Sequence, residues 1–184
     1  QFPIRQSGTY WYHSHSGTQE QDGHYGPIIV EPAGEDPVAF DREYMVVLSD
    51  WSPLGGHMIM KKLKQQSDYF NYEKQTFASL LAGKGQTLEQ RLKWGKMRMS
   101  AADISDVTGS TYSYMINGHG PQENWTGLFR PGERVRLRIV NASAMSIFNV
   151  RIPGLKLEVV QADGQNVVPV QTDELQISVA ETYD

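Results

Sequence analysis

Hydrophobic and polar positions alternate through residues 1 to 32 and close on the apolar run Ile28-Ile29-Val30, a period of two that predicts short strands around a turn at Asp22-Gly23. Residues 33 to 42 are rich in Gly, Pro and acids and read as a linker. Tyr44 to Asp50 is a compact apolar strand candidate. Between Gly55 and Gly109 the spacing changes: Ile59, Leu63, Phe70, Phe77, Leu80 and Leu81 recur at roughly helical intervals, and Thr87-Leu88-Glu89-Gln90 has the form of a capping box. This stretch, about 55 to 108, reads as a helical insertion. From Tyr112 the period returns to two. Val135, Leu137 and Ile139 alternate with Arg134, Arg136 and Arg138 behind the turn Pro131-Gly132, which predicts one face in the core and the other in solvent. Ile147 to Ile152, Leu155 to Ala162, Val167 to Val170 and Leu175 to Ala180 are further strand candidates, separated by Pro153-Gly154, Asp163-Gly164 and Thr172-Asp173. Many short strands with Gly or Pro between them argue for an antiparallel sandwich or barrel rather than a βαβ fold.

Composition narrows the function. The 184 residues carry 17 basic and 21 acidic side chains, a net charge of −4, so the basic footprint of a nucleic-acid-binding protein is missing. The one basic cluster, Lys61, Lys62 and Lys64, reads as a solvated helix face. No run of about 18 apolar residues offers a bilayer span. With no cysteine there is no disulfide, thiolate nucleophile or Cys-based metal site, and a transition metal would have to be held by His, Met or carboxylates. The chain opens at Gln1 without a basic and apolar leader and closes on Asp184 directly after a strand-like run, so the expectation is a piece of something longer.

The sharpest local feature is Gly8-Thr9-Tyr10-Trp11-Tyr12-His13-Ser14-His15-Ser16-Gly17. On an extended strand residues two apart share a face, so His13 and His15 would aim two imidazoles in one direction. Neutral imidazole suits copper or zinc, but a stable site takes three or four donors, so the pair alone is half a site. With Asp22-Gly23-His24-Tyr25-Gly26-Pro27-Ile28-Ile29-Val30-Glu31 behind it, this segment resembles the second copper-ligand motif of multicopper oxidases. Ser49-Asp50-Trp51, Gln66 to Tyr69, Trp94 to Met99, Ile116-Asn117-Gly118, Asn124 to Glu133, Ile152-Pro153-Gly154 and Val179 to Asp184 resemble the second domain of copper-resistance oxidases of the CopA type.

That resemblance implies an all-β, cupredoxin-like Greek-key sandwich or barrel with a helical insertion, preceded by terminal strands of another cupredoxin domain. Residues 1–32 would close domain 1, 33–42 would link, and 43–184 would be domain 2. It implies copper as cofactor, with His13 and His15 each ligating one type 3 copper of a trinuclear cluster. Further His-rich motifs and a ligating cysteine are absent from this sequence, so the remaining cupredoxin domains of a parent chain are the expected partners, together with copper ions and neither nucleic acid nor membrane. The parent would be a periplasmic oxidase of Cu(I) or phenol-like donors that reduces dioxygen to water. The alternative is a stand-alone copper-binding or interaction module without catalysis, and a third reading is a purely structural chain without metal. Residues 1 to 32, a sheet edge lacking its own domain, should pack on the second domain, pair with another chain, or be mobile.

Other candidates have plainer readings. His24 and His119 fall in turns; His24 reads as an exposed loop histidine and His119 as structural or exposed. His57, Met58 and Met60, and the pair Met97 and Met99, offer soft donors for Cu(I), but Met at i and i+2 on a helix does not share a face, and packing explains them better. Asp50-Trp51 and Trp125 read as core and interdomain packing, and Asp103 and Asp106 as helix capping. Asn124-Trp125-Thr126 and Asn141-Ala142-Ser143 fit the N-glycosylation pattern by chance, since the family resembled is bacterial.

Overall fold

The computed structural model describes residues 2–71, 75–97, 107 and 109–184. They divide into two compact units: residues 1–52 with 113–184, and residues 53–112.

The first unit is built from strands. β1 (Gly8–His13) and β2 (Tyr25–Val30) form an antiparallel hairpin; β3 (Arg42–Trp51), β4 (Ser113–Ile116), β5 (Val135–Asn141), β6 (Phe148–Val150), β7 (Leu157–Ala162), β8 (Gln165–Thr172), β9 (Leu175–Ile177) and β10 (Thr182–Tyr183) follow. Six of them make one sheet in the order β4-β3-β5-β10-β7-β8, while β6 and β9 pair separately. The expected sandwich is present, with one departure from an all-antiparallel arrangement: β3 and β5 run parallel, from Arg42 opposite Val135 to Leu48 opposite Asn141. Such a pairing needs a long crossover, and the chain between β3 and β5 supplies it.

The apolar face of the large sheet packs on the β6–β9 pair. Val46, Leu48, Ile139 and Ile177 are its buried centre, with Trp125, Leu137, Phe148, Val150 and Tyr183 against them. Alternation along β5 was expected to turn Arg136 and Arg138 to water. Instead they are 5% and 2% exposed. The physical reason is that the face they occupy is covered by the hairpin and the segment after it, and ion pairs compensate the burial. Arg136 meets Asp36 at 2.7 Å and Asp184 at 2.6 Å, and Arg138 meets Glu43 at 2.8 Å and Asp184 at 3.2 Å.

The hairpin is therefore docked on the sheet. Thr9, fully buried, donates its N–H to Gln161 Oε1 at 3.0 Å, accepts from Arg138 at 3.1 Å, and offers its carbonyl to the Thr182 hydroxyl at 3.0 Å. Gly8, at φ +142°, backs directly onto Gly164, where a Cβ would strike backbone. Of the fates expected for residues 1 to 32, the hairpin shows packing, on the sheet of the same compact unit. At the far edge of the sheet β8 is exposed along nearly its whole length, with Val168 85% accessible.

Among its described residues the second unit has the α-helices α1 (Gly56–Gln65), α2 (Phe77–Leu81) and α3 (Leu88–Lys96), and a 3-10 turn at Gly109–Thr111. Ile59, Phe70 and Val107 form its core, flanked by Leu63 and Tyr112. The capping box is present: Thr87 accepts from the Gln90 N–H at 3.3 Å and Gln90 accepts from the Thr87 N–H at 2.8 Å. Phe77 and Leu81 are 74% and 75% exposed, so the helical spacing there does not mark a buried face. One turn and a half of helix is too short to present a continuous stripe. Met99, Asp103 and Asp106 lie outside the described residues. Among the described residues no helix is long and apolar enough to cross a membrane.

Candidate metal centre

His13 is the last residue of β1 and pairs with Tyr25, and the hairpin continues one step further through the Ser14 N–H to the His24 carbonyl at 3.0 Å. The connection is thus longer than a tight turn at Asp22-Gly23. Residues 14–24 form a loop whose own bonds hold it closed: Asp22 N–H to Thr18 carbonyl at 3.2 Å, Gly23 N–H to Glu20 carbonyl at 3.0 Å, and His24 N–H to Gln19 carbonyl at 2.9 Å. Ser14 also bonds Gln19 through its side chain at 2.6 Å.

The extended backbone carries Trp11, His13 and His15 onto one side, as a period of two requires. The indole of Trp11 stacks on the His13 ring with centroids 4.3 Å apart and planes 15° from parallel, and the His15 ring follows at 4.4 Å and 37°. The structure brings the two imidazoles side by side. His13 is partly buried and His15 is exposed. Among the described residues no group of three or more His, Asp or Glu side chains is gathered as a ligand set, here or elsewhere.

Glu20 is the residue that reading the sequence missed. Its Oε2 lies 2.9 Å from His13 Nδ1, yet off the direction the N–H would take, and the solvent-shielded Nδ1 has no aligned hydrogen-bond partner among the described residues. Seven residues and an irregular loop separate the two, and no periodicity announces such a contact. Trp11 could have been found, since it stands two before His13 on the same strand.

The remaining candidates are placed apart from this pair. His24 is exposed in the loop, and His119 is an exposed turn residue 3.7 Å from Glu123. His57 is exposed, and Met58 and Met60 are each 45% exposed, so packing does not account for them. Of the basic cluster, Lys61 and Lys64 are exposed and Lys62 lies over the Tyr69 ring at 4.7 Å. Trp125 packs on the core and meets Tyr44 edge to face at 5.5 Å, whereas Trp51 is 41% exposed. Asp50 is 2% exposed and accepts from the N–H groups of Ala144, Met145 and Ser146 at 3.0 to 3.2 Å. Asn141 is fully buried, where no glycan could be attached.

Comparison with known proteins adds what two imidazoles cannot say alone. Copper resistance protein A of Escherichia coli is 54% identical over 188 residues, covering all of this chain and 31% of that protein. Copper resistance protein A of Pseudomonas syringae pv. tomato is 52% identical over 189 residues with the same coverage. The chain thus spans about a third of the length of these relatives. The crystal structure of Fet3p, a multicopper oxidase that functions in iron import, shares the fold at a TM-score of 0.63 and 24% identity, over 97% of this chain and 26% of that one. Two family models, both described as multicopper oxidase, match residues 1–35 and 42–184. The hairpin with its paired histidines and the cupredoxin-like sheet both carry that signature, and the chain belongs to the multicopper oxidase family.

Proposed function

We propose that this chain is part of a copper-resistance oxidase, in which His13 and His15 each give an imidazole to one copper of a type 3 pair and the sheet acts as the spacer that sets where those imidazoles stand. The observation that carries this reading is the adjacency of the two rings at 4.4 Å on one side of a docked hairpin. Residues 1–32 would belong to the end of a first cupredoxin domain, 33–42 to the connection, and 43–184 to the second domain, with the insertion at about 55–108.

The residues suit copper. Imidazole nitrogen is a favoured ligand for it, and a buried His13 Nδ1 beside a carboxylate is the arrangement that leaves Nε2 as the free donor. Bound there with ligands from the parent's other domains, copper would supply one-electron steps that together reduce dioxygen to water. The chain's own part is positional. Trp11 fixes the plane of the His13 ring by stacking, and the hairpin is held by Thr9, itself fixed by Gln161, Arg138 and Thr182. A multi-metal site requires ligands held to a fraction of an ångström, and a donor at the end of a docked strand, with the second two residues on in a loop closed by its own bonds, meets that requirement better than donors on a free loop. The parent's reductants would be Cu(I) or phenol-like donors, and its compartment the periplasm.

Copper bound per molecule of the full-length parent tests the assignment. Replacing His13 and His15 by Ala should lower it, and an unchanged copper content would contradict the ligand roles.

A further inference from the structure

We infer that Glu20 is a positioning residue for His13, selecting the ring flip and the tautomer that place the proton on Nδ1 and leave Nε2 as the metal donor; this rests on the copper-ligand reading above. Stacking between Trp11 and His15 fixes the plane of the His13 ring but not its orientation within that plane. An imidazole turned by 180° about its Cβ–Cγ bond occupies nearly the same volume, with Nδ1 and Cδ2 exchanged. Neutral imidazole in water also favours the proton on Nε2, which would block the outward nitrogen. Something must decide both questions.

A carboxylate 2.9 Å from Nδ1 decides both. It attracts an N–H and gains nothing comparable from a C–H, so the flip with Nδ1 towards Glu20 is favoured, and a protonated Nδ1 can donate to it. The Glu20 side chain is 30% exposed, so rotation about its own bonds can bring Oε2 into line with the Nδ1–H. Its backbone is held in place: the Glu20 carbonyl takes the Gly23 N–H, and the loop is shut by the Asp22–Thr18 and His24–Gln19 bonds. Histidine ligands commonly donate their second N–H to a carboxylate in this way, with about 10- to 100-fold in metal affinity depending on it. Among the described residues no carboxylate stands beside His15, so the two imidazoles differ in their support.

The test uses the full-length parent with 15N-labelled histidine. In the copper-free protein the His13 nitrogen shifts report the tautomer; in the copper-loaded protein, competition with a chelator reports retention. Wild type should carry the proton on Nδ1. Glu20→Leu should move it to Nε2 and weaken copper retention roughly 10- to 100-fold. Glu20→Gln, whose amide oxygen can accept the same bond, should keep the Nδ1 proton and most of the retention. If Glu20→Leu leaves tautomer and retention unchanged, or if Gln behaves as Leu does, the inference is overturned. His13→Ala separates the two levels: copper retention lost in His13→Ala but intact in Glu20→Leu sinks this inference alone, whereas retention intact in His13→Ala sinks the ligand reading and this inference with it.

Discussion

Arg136 and Asp184 form an ion pair at 2.6 Å with their side chains 3% and 0% exposed, beneath the face on which the amino-terminal hairpin lies. Oδ2 of Asp184 also accepts from Arg138 at 3.2 Å, while Oδ1 has no hydrogen-bond partner among the described residues. One carboxylate oxygen thus serves two guanidinium groups inside the protein. Removing one partner of a buried pair leaves charge without compensation, so Asp184→Asn should cost roughly 3 kcal/mol in chemical denaturation. Arg136 and Arg138 keep Asp36 and Glu43, which limits the loss. A change under about 0.5 kcal/mol would place this variant with ordinary surface substitutions and contradict the role.

Asp50 offers a second test. Its carboxylate takes three successive N–H groups, from Ala144, Met145 and Ser146, and the Ser146 hydroxyl at 2.7 Å. Hydrogen bonds to a charged group contribute about 1.5 to 3 kcal/mol each before their mutual dependence is counted. Asp50→Ala should destabilise the protein by at least about 2 kcal/mol and loosen residues 144–146, read as faster amide exchange there. Unchanged exchange would show that the turn holds itself.

Acid should act through Asp36. Burial raises its pKa, but the N–H of Val38 and the guanidinium of Arg136 outweigh that and hold it below the usual value. A carboxyl whose folded pKa lies under its unfolded value of about 3.9 stabilises fully above that pH and loses the contribution as pH falls through the folded value. Asp36→Asn should therefore be less stable than wild type at neutral pH, with the gap closing from about pH 4 downward. A gap of constant size from pH 7 to about pH 2 would rule this out.

Much of this fold was legible in the chain because local pattern and tertiary role agree. The strand from Tyr44 to Asp50 lies within β3, and Thr87 to Gln90 forms its capping box, since each depends on neighbours in sequence. Arg136 and Arg138 were misplaced for the opposite reason. Alternation tells which residues share a face, and what covers that face depends on residues more than a hundred positions away, such as Thr9. Phe77 and Leu81 show the same limit in reverse, as apolar residues at helical spacing that stay exposed. At the candidate centre, the side-by-side placement of His13 and His15 follows from a period of two, while Glu20 arrives by way of a folded loop that no spacing rule anticipates.

His13 and His15 are proposed to hold copper for dioxygen reduction. Oxygen uptake by the full-length parent carrying His13→Ala and His15→Ala, recorded together with the blue absorption of its type 1 copper, tests it most directly. Oxygen uptake should be abolished while the blue absorption remains. Oxygen uptake retained at the wild-type rate would contradict it.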